Sequence, residues 1–103
     1  MHIFHIAHEA DWAKAVAAGS YRVDSLDTEG FIHLSTRLQV LDTAERYYRG
    51  VRGLLLLEID EARLDPALLR YEESTGGALF PHHYGPLPGA AIVSAHIFAP
   101  RDD

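Results

Sequence analysis

The stretch GLLLLEID, Gly53 to Asp60, decides the fold, because an unbroken apolar run follows a glycine there. A strand that is covered on both faces carries apolar residues at nearly every position, whereas a strand with one solvated face alternates. The stretch therefore predicts a central strand with packing on both sides. Glu58 and Asp60 lie at its end, where polar residues are expected.

The residues that precede this strand predict a first strand and a first helix. HIFHIA, His2 to Ala7, alternates in the manner of a strand. Trp12, Ala15 and Val16 then recur at i, i+3 and i+4, the spacing of the buried stripe of a helix, and Gly19 is placed to end that helix.

The middle of the chain predicts a loop, a strand and a second helix. SYRVDSLDTEG, residues 20–30, is polar and reads as a loop with a short strand near Tyr21. FIHLS, residues 31–35, reads as a strand. The segment 36–50 reads as the second helix.

Two local patterns support that second helix. Thr36 and Gln39 have the spacing of a capping box at its start. Leu41, Ala44 and Tyr48 are spaced as a buried stripe.

The C-terminal half predicts two further strands, LLRYEE at residues 68–73 and AAIVSAHIFA at residues 90–99. Strands and two main helices in this order indicate a compact α+β domain. At 103 residues, the chain has the length of a single domain spanning 1–103.

Composition excludes several classes of function. The net charge is −6 and the nine Lys and Arg residues are scattered, so we expect no nucleic-acid partner. No apolar run approaches the ~20 residues of a membrane span, and the N-terminus does not resemble a signal peptide. The chain contains no cysteine, so disulfides and thiolate chemistry are excluded. We expect a soluble, cytoplasmic protein.

The first candidate site residue is His33. Period-two alternation in GFIHLST places Phe31, His33 and Ser35 on one face of the strand, and Ile32 and Leu34 on the other. Because the apolar pair is expected to pack inward, His33 and Ser35 would share a face that is open to a ligand. The alternative is a half-buried histidine with satisfied hydrogen bonds and no site.

The second candidate is LFPHHYGPLPG, residues 79–89, which contains three prolines and two glycines and reads as a stiff loop. Such a loop loses little entropy on ordering and would present His82, His83 and Tyr84 to a ligand that carries flat rings or hydroxyls. The alternative is a structural lid, with Phe80 and Tyr84 packed over the core.

The third candidate is the carboxylate of Glu72, which could serve as a base or bind a pair of hydroxyls. Its alternative is an ordinary solvated charge. A metal site that uses His33, His82 and a carboxylate is the minor alternative, because the chain has no HExxH motif and no cysteine ligand. We therefore expect no metal.

Several motifs together resemble one known family. GFIHLS, the central LLLLEID, RYEES followed by glycines, and above all FPHHYGPL are similar to the small bacterial proteins grouped as domain of unknown function 952. The resemblance covers nearly the whole chain. His83 departs from the family pattern, in which an aliphatic residue is usual, so it is a weaker candidate than its neighbours.

This resemblance implies an ADP-ribosyltransferase-like fold, in which a curved, split, mixed or antiparallel β-sheet holds NAD in a cleft. It implies that His33 binds the nicotinamide ribose, with Ser35 beside it, and that His82 or Tyr84 contacts a ring. Glu72 would supply the catalytic carboxylate.

Phe31 and Gly85, which flank these positions, complete the expected ligand-binding set. NAD would be a substrate, and the activity would be that of a transferase or an NAD glycohydrolase. The alternative is a non-catalytic module that binds a nucleotide, a sugar or a protein end. The sequence leaves open whether the protein is an enzyme and whether it has a protein partner.

Overall fold

The structure of the chain is a computed structural model that describes residues 1–74 and 76–100. Its strands are β1 (His2–His8), β2 (Ser20–Tyr21), β3 (Ile32–His33), β4 (Ser35–Thr36), β5 (Leu54–Asp60), β6 (Leu69–Glu73), β7 (Leu79–His83), β8 (Leu87–Pro88) and β9 (Ile92–Phe98). Its helices are α1 (Glu9–Ala18), α2 (Ser25–Thr28) and α3 (Val40–Tyr47), with 3-10 turns at Glu61–Arg63 and Gly89–Ala91. None of the helices in these residues is long and apolar enough to cross a membrane.

The central strand predicted from GLLLLEID is confirmed. β5 lies between β1 and β9 in a four-stranded sheet of order β4-β1-β5-β9. Leu57 and Ile59 are fully buried in the larger apolar cluster, and Leu54 is buried in a second cluster. Since Leu54 and Leu57 face opposite sides, the strand is covered on both faces, as its unbroken apolar run requires.

The remaining strands form a three-stranded sheet of order β3-β7-β6 and a two-stranded sheet of β2 and β8. All strand pairings among the described residues are antiparallel. The α+β prediction with antiparallel sheets and few helices is therefore confirmed.

The prediction that residues 79–89 form a stiff loop is wrong. Residues 79–83 are β7, the middle strand of the three-stranded sheet. Proline is tolerated at Pro81 because the regular pairing with β3 involves only His82 and His83. At Pro81 the carbonyl still accepts a hydrogen bond of 3.0 Å from Leu34 N–H.

The predicted strand FIHLS is two short strands. The chain pairs with β7 through Ile32 and His33, breaks at Leu34, and then pairs with β1 through Ser35 and Thr36. His33 and Ser35 therefore belong to different sheets. The alternation of side chains between the two faces of a strand does not continue across such a break. Ser35 is therefore buried, whereas the side chain of His33 is 50% exposed.

In both main helices, the residues that are buried differ from the predicted buried stripe. In α1, Ala15 is buried, whereas Val16 is 67% exposed. In α3, Leu41 is 69% exposed, and the buried residues are Val40 and Ala44. The helix begins at Val40, after a turn, and its i, i+4 row packs on Phe4 and Leu54 and their neighbours.

The polar segment 20–30 contains more structure than a loop. The predicted short strand at Tyr21 is confirmed as β2. The helix α2 was not predicted, because four residues are too few to show a helical period.

The imidazole of His5 joins the three sheets. His5 Nδ1 lies 2.6 Å from the carbonyl oxygen of His33 in β3, and His5 Nε2 lies 2.8 Å from the hydroxyl of Tyr21 in β2. A carbonyl can only accept, so Nδ1 carries the proton and Nε2 accepts from the tyrosine. Burial lowers the pKa of His5 from 6.5 to about 4, and the ring is neutral at pH 7.

This burial predicts a pH-dependent stability. Between pH 4 and 6.5 the unfolded chain protonates His5 and the folded chain does not, so stability falls as the pH falls through this window. From pH 7.5 to pH 5 the loss due to His5 is about 2 kcal/mol. Urea unfolding of the wild type and of His5→Asn at both pH values measures it.

The variant should lose about 2 kcal/mol less than the wild type on acidification, since Asn keeps a donor for the His33 carbonyl but does not titrate. His8→Asn, at an exposed histidine of the same strand, should retain the wild-type pH dependence. Equal pH dependence of His5→Asn and the wild type would show that His5 does not control acid stability.

A close backbone contact at Gly89 gives a second prediction. Gly89 N–H donates to the Gly19 carbonyl oxygen at 3.0 Å, and a Cβ on Gly89 would lie 2.9 Å from that oxygen. Gly89→Ala should therefore lower the free energy of unfolding by about 1–3 kcal/mol. Gly85→Ala, whose Cβ would meet the Leu68 side chain at 3.5 Å, should cost less in the same urea titration. A smaller loss for Gly89→Ala than for Gly85→Ala would contradict this packing.

Candidate functional site

A cleft of about 780 Å³ receives residues from β1, α1, the α2 region, α3 and β7. Three of the predicted site residues line it, namely His33, Ser35 and His82. Four others do not: Phe31, Glu72, Tyr84 and Gly85. The structure thus brings together the two histidines and the serine, and places the remaining predicted residues behind or beside them.

The antiparallel register brings His33 and His82 together. They are direct partners in the pairing of β3 with β7, and their ring centroids lie 5.5 Å apart. Directly opposed residues of an antiparallel pair point to the same face, so both rings belong to one side of the small sheet. The proximity of the two histidine rings follows from the strand register and not from the spacing of the residues in the sequence.

Phe31 supports both histidine rings from beside the cleft. Its ring stacks on His82 with centroids 4.1 Å apart and an interplanar angle of 19°, and it lies 4.8 Å from the ring of His33. The ring centroid of Tyr84 lies 5.3 Å from that of Phe31. Offset aromatic contacts of this kind restrict the rotation of the rings.

Glu72 orients His82. Its Oε1 is 2.9 Å from His82 Nδ1 and also accepts a short hydrogen bond from the hydroxyl of Tyr84. The hydrogen bonds from Tyr84 and from His82 lower the pKa of Glu72, so it is a carboxylate at neutral pH. The bond to Glu72 raises the pKa of Tyr84. Because a carboxylate only accepts, the proton of the His82 ring is on Nδ1.

In the neutral ring, the other nitrogen of His82 carries a free lone pair. His82 is 5% exposed, and its Nε2 has no hydrogen-bond partner in the part of the chain that the structure describes. His82 lines the cleft, whereas Glu72 lies outside its lining. Buried polar atoms are nearly always paired, so an orphan acceptor at a cleft indicates a place for a donor on a ligand.

Glu29 is a site residue that sequence reasoning missed. Its Oε2 lies 2.9 Å from His33 Nε2, and both residues line the cleft. The glutamate precedes the histidine by four residues, and Gly30 between them has a φ of +91°. The turn folds the carboxylate back onto the ring, which the interpretation of residues 31–35 as a strand did not reveal.

Ser35 lines the cleft from the four-stranded sheet. It is buried, and its Oγ lies 3.3 Å from the hydroxyl oxygen of Thr43 in α3. No histidine is its hydrogen-bond partner among the described residues. The serine therefore offers a hydroxyl to a ligand and is not placed as an activated nucleophile.

His83 and Gly85 form a separate buried contact outside the cleft. His83 Nδ1 lies 2.7 Å from the Gly85 carbonyl oxygen, and the histidine is only 1% exposed. The preceding Tyr84 N–H donates to the Leu68 carbonyl at 2.7 Å. These bonds fix the chain after β7, which in turn holds Tyr84 against Glu72.

The charges along the cleft are mainly negative. Four carboxylates line it, Asp11, Asp24, Glu29 and Asp42. Arg46 also lines it, with its Nε 3.1 Å from Asp42. Across residues 1–74 and 76–100, no group of three or more His, Cys, Asp or Glu side chains is arranged to hold a metal ion.

Comparisons with known proteins identify the family. Residues 6–95 match the family described as "Protein of unknown function (DUF952)", and the chain belongs to this family. A search of curated proteins finds no match.

Solved structures of protein CC0527 from Caulobacter crescentus are similar to the chain. The crystal structure has a TM-score of 0.88 and 34% identity, over 96% of this chain and 87% of that one. The solution NMR structure has a TM-score of 0.80 and 36% identity, over 93% and 83%.

The orientation of His82 gives a third prediction. In the wild type, the ¹⁵N spectrum of the His82 ring should show the proton on Nδ1 and a bare Nε2. Glu72→Ala should give a mixture of both tautomers, because the acceptor for Nδ1–H is removed.

The matched control is Glu73→Ala, which removes the neighbouring exposed carboxylate of the same strand and should leave the wild-type spectrum unchanged. A wild-type ring protonated on Nε2 would contradict the orientation by Glu72.

Proposed function

We propose that the cleft binds a ligand of the NAD and ADP-ribose class. The observation that carries the proposal is the buried, unpartnered Nε2 of His82, which Glu72 orients beside His33 in one cleft. A ribose presents adjacent hydroxyls, which can donate to this lone pair and to Nδ1 of His33, since the proton on His33 Nε2 is directed at Glu29. A volume of about 780 Å³ is sufficient for a ligand of nucleotide size.

The arrangement of the strands supports an ADP-ribosyltransferase-like fold. The four-stranded and three-stranded sheets are separate, and the chain passes from one to the other between His33 and Ser35. His33 lies just before the chain passes from the three-stranded to the four-stranded sheet, and it is the histidine to which the family resemblance assigns ribose recognition.

In this proposal His33, held by Glu29, binds one ribose hydroxyl, and His82 Nε2 accepts a proton from a second hydroxyl or from the attacking water. Ser35, which also lines the cleft, adds a hydroxyl. Glu72 acts through His82 as a positioning residue, because it does not line the cleft.

The catalytic version of the proposal is N-glycoside cleavage. The bond between ribose C1′ and the nicotinamide nitrogen breaks, and its electron pair leaves with nicotinamide. Water or an acceptor hydroxyl forms the new bond to C1′ and loses its proton to His82. Glu29, the carboxylate beside His33, is the group that would stabilise positive charge on the ribose.

A non-catalytic binding module is the second candidate. It is favoured by the engagement of both carboxylates, since Glu72 is bonded to Tyr84 and His82, and Glu29 is bonded to His33. A carboxylate that already accepts a hydrogen bond, from one donor for Glu29 and from two for Glu72, contributes less to a developing cation.

Calorimetric titration with NAD and ADP-ribose tests the binding. His33→Ala should weaken binding of whichever compound binds by about tenfold, which corresponds to one lost hydrogen bond. His96→Ala, at an exposed histidine of β9 outside the cleft lining, is the matched control and should bind as the wild type does. No binding of either compound by the folded protein would refute the proposal.

Release of free nicotinamide from NAD separates the two versions. If the protein is an enzyme, the wild type should release nicotinamide faster than His33→Ala does, and Glu29→Gln should reduce kcat. Binding without turnover supports the module. In that case Glu72→Ala should weaken binding less than His33→Ala does, because Glu72 touches the ligand only through His82.

A further inference from the structure

We infer that the outer edge of β9 is the interface of a homodimer, in which β9 pairs antiparallel with β9 of a second copy of the chain about a two-fold axis at Ala95. The two four-stranded sheets then join into one continuous sheet. This interface is independent of the proposed function, because no residue of β9 lines the cleft.

The backbone of β9 is free to pair along its outer side. β9 is the outermost strand of the four-stranded sheet, and its seven residues pair on their inner side with β5. Among residues 1–74 and 76–100, no backbone hydrogen bond joins the outer side of β9 to another element. The N–H and C=O groups on that side therefore form a template for a further strand.

The composition of β9 does not protect this edge. Natural edge strands are usually short, or they carry charges or proline, which prevent pairing with another chain. The strand IVSAHIF contains no Asp, Glu, Lys, Arg or proline. By contrast, the edge strand β6 carries Arg70, Glu72 and Glu73, and β3 and β4 have two residues each. A register shift leaves Val93 without a partner in β5, but the pairing is regular from Ser94 to Phe98.

Apolar side chains are exposed along the same edge. Ile97 is 88% exposed and Val93 is 42% exposed. Ala95, midway between them, is also exposed. Removing such side chains from water is favourable, and a second strand laid along this edge would do so.

The edge is complementary to itself, which favours a second copy as its occupant. In antiparallel pairing about Ala95, Val93 lies opposite Ile97 of the second copy, so the exposed apolar side chains meet each other. Ser94 lies opposite His96 of the second copy, and Ser94 Oγ is 3.3 Å from the carboxylate of Glu58. Each His96 therefore approaches a carboxylate of the other copy, and no like-charged side chains meet across the paired strands.

Sedimentation velocity over a concentration series tests the dimer. At physiological ionic strength, which screens the repulsion between two chains of net charge −6, the mass should rise with concentration from the 11.5 kDa of one chain to twice that value. A wild type that remains monomeric up to about 1 mM would overturn the inference and leave the edge to a strand of another protein.

Charge variants locate the interface. Ile97→Lys should weaken dimerisation by about tenfold or more, because it places an ammonium group on the edge, and its exposed position should preserve the fold. Adding Val93→Glu should restore most of the association, since the two charges lie opposite each other across the axis. Leu38→Lys, at a side chain that is 95% exposed and outside β9, is the matched control and should dimerise as the wild type does. Equal weakening by Ile97→Lys and Leu38→Lys would contradict an interface at β9.

A single introduced thiol tests the position of the axis, because the chain has no cysteine. In Ala95→Cys the two thiols lie directly opposite each other, and the Cα–Cα distance of about 4.5–5.5 Å in an antiparallel pair is within the range of a disulfide. Mild oxidation should therefore crosslink Ala95→Cys much faster than Ala13→Cys, at an exposed alanine of α1. Equal rates of crosslinking would overturn the pairing about Ala95.

Discussion

The hydrogen bonds of His5 are the interaction on which the site depends. This imidazole belongs to the four-stranded sheet, donates to the backbone of the three-stranded sheet at His33 and accepts from the two-stranded sheet at Tyr21. Burial of a polar ring is unfavourable unless both nitrogens are paired, and here both are. The same contacts that join the sheets therefore also fix the backbone of the residue at the cleft.

The three-stranded sheet places the side chains of the site next to the fixed backbone of His33. His82 lies directly opposite His33 in the neighbouring strand β3, and opposite Arg70 in the other neighbouring strand, β6. Glu72 follows Arg70 by two residues, so its side chain is on the same face of the sheet as the two histidines. Glu72 then sets the tautomer of His82. Each step follows from antiparallel register, and a slip of one residue would move every one of these groups to the other face.

Features with a local cause were predictable from the sequence. The apolar run of β5 requires cover on both faces, and Gly19, with φ of +80°, ends α1 as its position indicated. His33 was identified because strand alternation places it opposite the apolar Ile32 and Leu34, and His82 because a segment rich in proline and glycine contains it. The burial of Ala44 also followed from helical spacing.

Features that depend on distant partners were not predictable. Pro81 argued for a loop, and only the limited extent of β3 makes a strand there acceptable. Ser35 was placed on the face of His33, but the break at Leu34 assigns it to another sheet. Glu29 was assigned to a loop and His33 to a strand, and a turn with a positive φ at Gly30 brings them together. The separation of Glu72 from the cleft likewise depends on how β6 lies beside β7.

The most direct measurement is a histidine-resolved NMR titration of the folded protein with NAD. The account predicts that the ring signals of His33 and His82 shift together with one binding constant. The signals of His83, which is buried against Gly85, should stay in place. Shifts at His2 or His96 with no change at His33 and His82 would contradict it, because those histidines lie outside the cleft lining.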